Sequence, residues 1–266
     1  PDSFRWKPTR GLDWMPRRES VGPFVFLDHY RHQSRRGIGD KPHPHAGIEV
    51  ISYLLEGGVE HRDSHGFRDT LGAGDAQYIR AGSGMLHAEQ PAGGRHGLQL
   101  WTSLPPAKKF IEPAYHSYRA ADIPVVNVPG ASVKVVAGQV NDIMGPMVLT
   151  SPTTFAVVHL EPGATARFDV DGEAEMGVYV LDGLLAGPNG ALGKGAFAML
   201  SDDGSTIALT SASTDSETIV AVVGGEPAAQ PMFFSGPFVM DSPENIRRAE
   251  RDFLAGKMGT LDGVPF

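Results

Sequence analysis

The sequence predicts an all-β protein of two antiparallel β-barrel or β-sandwich modules that ends in a helix. Short runs of β-branched and aromatic residues alternate with turn residues, and the 266 residues include 33 glycines and 21 prolines. One pattern of strands and turns occurs in the front half and again in the back half, as expected for two modules of ordinary size. We therefore predict one module over residues 1–130 and a second over residues 131–266.

The repeated pattern consists of a strand, an acidic-glycine turn, a spacer and a Gly-x-Gly turn that leads into another strand. In the front half, ISYLLEGG at residues 51–58 is followed by TLGAGDAQYI at 70–79. In the back half, GVYVLDGL at 177–184 is followed by ALGKGAFAML at 191–200. We interpret the recurrence as an internal duplication of one small β-module whose loops differ between the copies.

The remaining predicted elements are strands and one helix. The strands are expected at residues 24–28, 98–104, 154–163, 206–212 and 218–225. Asp241 or Ser242 can cap the helix, whose first turn contains Pro243. The apolar stripe of this helix, which is expected to pack against the β core, comprises Ile246, Ala249, Phe253 and Leu254.

Composition and charge exclude several classes of protein. The chain contains no cysteine, which rules out disulfides, thiolate metal sites and thiol catalysis. A formal net charge of −8 argues against a protein that holds nucleic acid by its phosphates. No run of about 18 apolar residues is available to span a bilayer, so we expect no membrane partner. The missing cysteines are compatible with a reducing compartment, and we expect the cytoplasm, or the nucleus in a eukaryote.

Two pairs of candidate metal donors lie in the front module, which holds nine of the ten histidines. His43 and His45 belong to KPHPHAGIEV, and His87 and Glu89 belong to GSGMLHAE. Residues two apart on a strand point to the same face, about 7 Å from each other. If the two strands are neighbours, three imidazoles and one carboxylate converge on one face.

Such a donor set suits a borderline divalent metal, and Fe(II), Mn, Ni, Co, Cu and Zn all remain open. An octahedral metal with four protein ligands keeps two positions free, which favours a redox metal that holds dioxygen and a substrate. Pro42 and Pro44 lack N–H groups, which places this segment at the start or edge of a strand, near a barrel mouth. The alternative is that these histidines are ordinary polar residues at turns, since either pair also occurs by chance.

The same residues resemble the motifs of a known superfamily. Gly37, His43, His45 and Glu49 are spaced as in the first cupin motif, and GSGMLHAE resembles the second. The segments PHPHAGIEVISYLLEGGVEHRDS, LGAGDAQYIRAGSGMLHAEQP and HGLQLWTSLPPAKKFIEPAY are similar to the pirin family, and GPFVMDSPENIRRAERDFLAGKMG is similar to its C-terminal module. The resemblance covers nearly the whole chain and is loosest between the front module and the C-terminal end.

This resemblance implies a bicupin with one metal, usually iron, in the N-terminal module and none in the C-terminal one. It implies Fe(II) as the metal and, as its ligands, His43, His45, His87 and Glu89. Several pirins degrade quercetin as 2,3-dioxygenases, so the implied activity is the opening of a flavonol's central ring with O2. A small aromatic substrate would then bind beside the metal, and Glu89 would also act as the base.

Two other functions remain open. Eukaryotic pirins are known as nuclear transcription cofactors, so one alternative is a metal-dependent, redox-responsive regulator that binds a protein partner. The acidic net charge makes direct nucleic-acid binding an unfavourable explanation for such a role. The other alternative is a cupin isomerase that uses Zn or Mn without dioxygen.

Three details of the site are left open by the motifs. Glu49 fills a ligand position in the general cupin pattern, whereas Glu89 supplies the carboxylate in pirin-like chains, so we predict Glu89 as ligand and Glu49 behind it. Ala46 and Ser103 stand where many pirins carry arginine and asparagine, and both are expected to alter the pocket rim or its substrate. His61 follows a predicted turn and is expected at a surface turn, with a position lining the pocket as the alternative.

The other candidates are expected to lie away from the metal. Surface positions are predicted for His29, His32, His65 and His116. One face of the strand that carries His96, Gln99 and Trp101 is expected to line the barrel. Aligning YLLEG with YVLDG places three acidic residues opposite the first motif, and we expect a solvated acidic turn there: Asp169, Asp171 and Glu175.

Overall fold

The computed structural model describes residues 4–6, 20–32, 39, 41–170, 175–201 and 204–261. These residues gather into two compact units built from antiparallel strands. The first unit combines Phe4–Trp6, Phe24–Ala120 and the C-terminal segment that begins at Ala228, and the second combines Ala121–Pro227 with Val21–Pro23. The predicted all-β class with one C-terminal helix is confirmed.

The first unit begins with eight strands: β1 Phe4–Trp6, β2 Phe24–His32, β3 His43–His45, β4 Ile48–Asp63, β5 Arg68–Leu71, β6 Ala76–Arg80, β7 Met85–Ser103 and β8 Ala114–Tyr118. They pair in the order β1-β2-β7-β4-β6-β8, while β3 pairs with β7 and β5 pairs with β4. No pairing among the described strands closes this sheet into a barrel, so the sandwich is the better description.

Strands β4 and β7 are long because they continue through the glycines inside them. Two register shifts interrupt their pairing where β4 contains Gly57. Gly57 has a φ of 74°, and a Cβ at this position would lie 2.0 Å from the Gly94 carbonyl oxygen, so the bulge requires glycine. The acidic-glycine turn predicted after ISYLLE is therefore a bulge within a strand, and β4 runs on to Asp63.

The second unit contains twelve strands: β9 Val125–Val128, β10 Ala131–Ala137, β11 Gln139–Val140, β12 Ile143–Met144, β13 Thr153–Leu160, β14 Thr165–Asp169, β15 Glu175–Asp182, β16 Leu184–Gly187, β17 Gly190–Gly193, β18 Phe197–Met199, β19 Thr206–Thr210 and β20 Thr218–Gly225. Its main sheet has the order β18-β15-β20-β13-β10-β9, and β14 pairs with β19. Its interior is a continuous apolar cluster rich in valine.

The duplicated sequence pattern corresponds to two matching sets of strands. In the first unit β6 pairs with β4, and in the second unit β18 pairs with β15 in the same way. The Gly-x-Gly turns before β6 and β18 contain Gly74 and Gly195, whose φ angles are 83° and 86°. These values lie in the region that only glycine adopts readily, which explains why both copies carry the same turn residues.

The C-terminal segment contains β21 Phe233–Ser235, β22 Phe238–Met240 and the helix α1 Pro243–Leu254. Ser242 caps α1 by accepting a hydrogen bond of 3.1 Å from the Asn245 N–H, and Pro243 occupies the first turn as predicted. The predicted apolar stripe is shorter than expected. Ile246 and Ala249 are buried, whereas Leu254 is 83% exposed.

This helix belongs to the first unit, whereas the sequence predicts it as the end of a module over residues 131–266. The physical reason is backbone pairing: Phe238 forms a parallel bridge with Ala46, and the Val239 N–H donates a 3.2 Å hydrogen bond to the Ala46 carbonyl. Ala46 is fully buried in an apolar cluster with Phe238 and Met240. It therefore lies in this packing layer and not at a pocket rim.

The buried side chain of Lys109 forms hydrogen bonds in the same region. Only 2% of it is exposed, and its ammonium donates hydrogen bonds to the Gly47 carbonyl (2.9 Å), the Ser103 hydroxyl (2.8 Å) and the Val239 carbonyl (2.9 Å). Ser103 is thus a partner of Lys109, and the expectation that it shapes the substrate rim is also corrected. Burial lowers the pKa of Lys109 to about 8, while the charge of Asp241 opposes the shift.

Replacing Lys109 with methionine is expected to lower the free energy of unfolding by roughly 3 kcal/mol at pH 7, where the ammonium is charged. The aliphatic stem would be kept, but three buried acceptors would lose a charged donor, and each such loss typically costs at least about 1 kcal/mol. Urea unfolding followed by circular dichroism measures the effect. The exposed neighbour Lys108, changed to methionine, is the matched control, and equal midpoints for both variants would contradict the assigned role.

Candidate metal centre

The pairing of three strands places the candidate donors side by side. In the β3–β7 register His43 lies opposite His87, and in the β4–β7 register His61 lies opposite Glu89 and Asp63 opposite His87. Directly opposed residues on neighbouring strands have Cβ atoms about 5 Å apart and share one face of the sheet. Strand β7 therefore runs between two strands that both present polar side chains to it.

Three of the four predicted metal ligands form a compact group of imidazoles. Their ring centroids are 5.0 Å apart for His43 and His45, 4.3 Å for His43 and His87, and 4.9 Å for His45 and His87. One ring nitrogen from each lies within 4.8 Å of the others. His45 and His87 are 1% and 0% exposed, and His43 lies at the partly exposed edge.

The hydrogen bonding of these rings fits a bound cation. The Nδ1 atom of His43 lies 2.9 Å from the Lys41 carbonyl oxygen, so Nδ1 donates and Nε2 keeps its lone pair. Neither ring nitrogen of His45 or His87 has a hydrogen-bond partner among the residues that the structure describes. A buried polar atom without a partner costs about 1–3 kcal/mol, and a metal ion would satisfy several of these atoms at once.

Burial also keeps the imidazoles neutral, which is the form that binds metals. It lowers the pKa of His45 to about 3, with a further contribution from His43, while the charge of Glu89 opposes the shift. Burial likewise lowers the pKa of His87 far below its usual range, and the charges of His43 and His45 act in the same direction. At neutral pH these two rings therefore carry no proton that a metal would have to displace.

Glu89 joins a second donor group, with His61 and His87, whose atoms also lie within 4.8 Å of one another. Its Oε1 atom is 3.7 Å from Nδ1 of His87 and 3.9 Å from Nδ1 of His61, and it accepts a hydrogen bond from Gln77. Its Oε2 atom accepts a 2.9 Å hydrogen bond from Arg95. The structure thus places Glu89 beside His87 and groups it with His61, whereas His43 and His45 belong to the first group.

The charge state of Glu89 follows from these contacts. Burial raises the pKa of this carboxyl, but the neighbouring His61, His87 and Arg95 outweigh burial and hold it well below its usual range. Glu89 is therefore a carboxylate that lies beside the neutral imidazole of His87.

Glu49 lies elsewhere on the sheet. It is 1% exposed, and its Oε1 and Oε2 atoms accept hydrogen bonds from the hydroxyls of Tyr78 (2.6 Å) and Thr102 (2.9 Å). It is a member of neither donor group found within the described ranges. Both of its oxygens are engaged by neutral donors, an arrangement that suits a buried structural carboxylate.

His61 is fully buried, and the expectation of a surface turn is wrong. Its Nε2 atom lies 3.1 Å from the Asp63 carboxylate, and its ring stacks on Tyr115 with centroids 4.4 Å apart. The reason is the Gly57 bulge, which lets β4 continue instead of turning at the surface. The usable signal was the H-x-D spacing in EHRDS, which places both side chains on one face of a continued strand.

Other histidines divide between surface and interior. His65 and His116 are exposed as predicted, and the side chain of His32 lies outside the described residues, as do Gly37 and Asp171. His29 is buried, contrary to expectation, with its Nε2 atom 2.7 Å from Nε2 of His96. The sequence patterns for His29 and His96 were considered separately, so their pairing across neighbouring strands was not predicted.

Trp101 and the back-half acidic residues complete the set of candidates. Trp101 packs edge-on against His45 with centroids 5.0 Å apart, so this face of the strand does border the imidazoles. In the second unit, Asp169 accepts a 2.6 Å hydrogen bond from Thr206, and Glu175 accepts one of 3.0 Å from the Gly22 N–H. These two carboxylates are thus engaged in local hydrogen bonds. The helix found in the described ranges is too short and too polar to cross a membrane.

Family models match both parts of the chain. The model for pirin matches residues 4–102, and the model for the pirin C-terminal cupin domain matches residues 155–259. The chain belongs to the pirin family. This pirin is 34% identical to Pirin-1 of Arabidopsis thaliana over 90% of its own length and 84% of the relative. It is 32% identical to human pirin, with 92% and 85% of the two chains covered.

A solved structure supports the same assignment. The crystal structure of quercetin 2,3-dioxygenase from Acinetobacter baumannii superposes on this pirin with a TM-score of 0.83 and 30% sequence identity, covering 90% of this chain and 87% of the other. The two units of this pirin are accordingly two cupin modules, as the duplicated pattern predicted.

Proposed function

We propose that this pirin is a metal-dependent dioxygenase that opens the central ring of a flavonol such as quercetin. The observation that carries the proposal is the group of three converging imidazoles, two of them fully buried with unpartnered ring nitrogens in the described part of the chain. The structural relative named quercetin 2,3-dioxygenase, at 30% identity, supports the choice of reaction. Planar aromatic side chains such as Trp101 beside His45 suit an aromatic substrate.

The metal would be held by His43, His45, His87 and Glu89, and we propose Fe(II), with Zn, Mn, Ni, Co and Cu also compatible with the donors. When bound, it would supply a Lewis acid that acidifies a substrate hydroxyl and a template for substrate and dioxygen. Glu89 would receive the hydroxyl proton on Oε1, the oxygen that faces the imidazoles. Because the pKa of Glu89 is low, this carboxylate would accept a proton readily only from a hydroxyl whose own pKa has been lowered.

The test is oxygen uptake by the iron-loaded protein in the presence of quercetin. We expect turnover in the wild-type protein and in His159→Ala, a histidine substitution in the second unit, and a loss of at least about 100-fold in His43→Ala, as expected when one essential metal ligand is removed. Wild-type uptake no faster than that of His43→Ala would refute the proposal.

The second candidate function is a redox-responsive regulator that binds a protein. The segment that carries α1 supports it, because Val239 is hydrogen-bonded to Ala46, next to His45, while Leu254 at the helix end is 83% exposed. A redox change at the imidazoles would thereby be transmitted to the exposed end of α1. The net charge of −8 favours a protein partner over nucleic acid. A protein that binds iron but consumes no oxygen with quercetin or other flavonols would favour this function over the dioxygenase.

A further inference from the structure

Arg95 is a buried cation beside the proposed carboxylate ligand. It lies on β7, and its Nη1 atom donates a 2.9 Å hydrogen bond to Oε2 of Glu89. Arg95 and Glu89 are 5% and 2% exposed, so water hardly screens the pair. The guanidinium carbon also lies 4.6 Å from the centre of the buried Tyr30 ring, which stabilises the cation from a second side.

The contacts divide the two oxygens of Glu89. Oε2 is held by Arg95, whereas Oε1 accepts from Gln77 and faces the Nδ1 atoms of His87 and His61 at 3.7 Å and 3.9 Å. Oε1 is therefore the oxygen that Glu89 offers on the imidazole side. Removing the guanidinium would remove this hydrogen bond to Oε2 and let the carboxylate rotate.

The charges follow from the same contacts. Three neutral imidazoles and one carboxylate leave a divalent ion with a formal charge of about +1, and the guanidinium adds one further positive charge beside it. In a poorly screened interior this extra positive charge disfavours a trivalent ion more than a divalent one. It also favours anionic ligands at the ion.

We propose that Arg95 is a positioning and tuning residue of the metal centre: it fixes Glu89 through Oε2, and its charge favours the divalent state and anionic ligands. This inference rests on the proposed function only in assuming that His43, His45, His87 and Glu89 bind iron. The family motifs that suggested the ligands do not include Arg95, and the assignment comes from its burial and its contact with Glu89 alone.

A natural comparison is available on the neighbouring strand. Arg31 of β2 forms an ion pair of 3.0 Å with Glu56, but the two side chains are 46% and 60% exposed. Solvent screens such a pair, so a change of Arg31 should leave the metal centre unaffected. Arg31→Gln is therefore the matched control for Arg95→Gln, whereas Arg95→Lys keeps the buried charge and loses the planar fork.

The experiment compares the midpoint potential of the Fe(III)/Fe(II) couple in the iron-loaded wild-type protein and these variants by spectroelectrochemical titration. We expect Arg95→Gln to favour Fe(III) at least tenfold more than the wild type does, a shift of about 59 mV or more for one electron. Arg95→Lys should shift the ratio by less than about threefold, and Arg31→Gln should match the wild type. Azide affinity for the Fe(III) form should fall at least about tenfold in Arg95→Gln.

A wild-type potential in iron-loaded Arg95→Gln would overturn the inference, and Arg95→Asn serves as the neutral variant if Arg95→Gln does not fold. This experiment is independent of the dioxygenase test, because the midpoint potential and the azide affinity are measured without quercetin. Iron uptake without quercetin turnover would contradict the proposed reaction and leave the role of Arg95 testable. A wild-type protein that takes up no iron overturns both.

Discussion

Replacing His87 with alanine is expected to abolish metal binding. His87 is the residue shared by the two donor groups, so its loss takes one imidazole from each. The effect on metal affinity should exceed the roughly 10- to 100-fold loss seen when a residue behind a ligand is removed. The fold should survive, because the substitution also removes two buried ring nitrogens that have no hydrogen-bond partner within the described ranges.

Elemental analysis after dialysis measures the metal content of this variant, and circular dichroism checks that it is folded. His159→Ala is the control, since His159 lies on β13 of the second unit and pairs with the half-exposed Glu217. It should keep the wild-type metal content. Wild-type metal content in folded His87→Ala would show that the metal is held by other residues.

Glutamine substitutions at Glu89 and Glu49 are expected to have opposite outcomes. Glu89→Gln removes the anionic group beside His87 and the negative charge that pairs with the buried Arg95. We expect a loss of metal affinity of at least about 100-fold, together with destabilisation of about 3 kcal/mol. Glu49→Gln should keep the metal, because the Glu49 oxygens accept hydrogen bonds from Tyr78 and Thr102 and Glu49 is a member of neither donor group of the described residues.

Isothermal titration of the metal-free proteins with Fe(II) under nitrogen measures both affinities. The two substitutions are matched in chemistry and in burial, since Glu49 and Glu89 are 1% and 2% exposed. The comparison therefore isolates position on the sheet from the general effect of neutralising a buried carboxylate. Equal losses of affinity in both variants would assign Glu49 to the metal as well.

The part of the candidate site that depends on the alternation of side chains along a strand was predictable from the sequence. His43 and His45 share a face, as do His87 and Glu89, because side chains alternate along a strand. That His43 lies opposite His87 is a matter of register, and register is decided by bulges and packing across the whole sheet. From the sequence, the pairing of the strands that carry His43 and His87 was only an assumption. The structure shows that these strands are paired.

The errors about His61 and the Glu56–Gly57 segment share one cause. His61 and the Glu56–Gly57 segment were expected at a turn because glycine and acidic residues are typical of turns. The Gly57 bulge instead carries β4 onward, so that His61 and Asp63 reach the face opposite Glu89 and His87. A bulge depends on the partner strand, here on the close approach of Gly94, and single-strand patterns do not contain that information.

The limits of the C-terminal helix were predictable from local signals, whereas its packing partner was not. Its limits and its Ser242 cap followed from local signals, because capping acts over a few residues. Its attachment to the first unit depends on Phe238 and Val239 bonding to Ala46, nearly two hundred residues away in the chain. No local pattern distinguishes this partner from the nearer strands of the second module.

The sequence by itself determined the β class, the two duplicated modules and the capped helix, and it indicated His43, His45, His87 and Glu89 as candidate donors, because period and residue chemistry are local properties. Only the tertiary structure decided that His61 is buried beside Glu89 and that Glu49 is held by hydroxyls away from the imidazoles. It also placed Arg95 against Glu89. These contacts depend on strand register and burial, which arise when distant segments pack together.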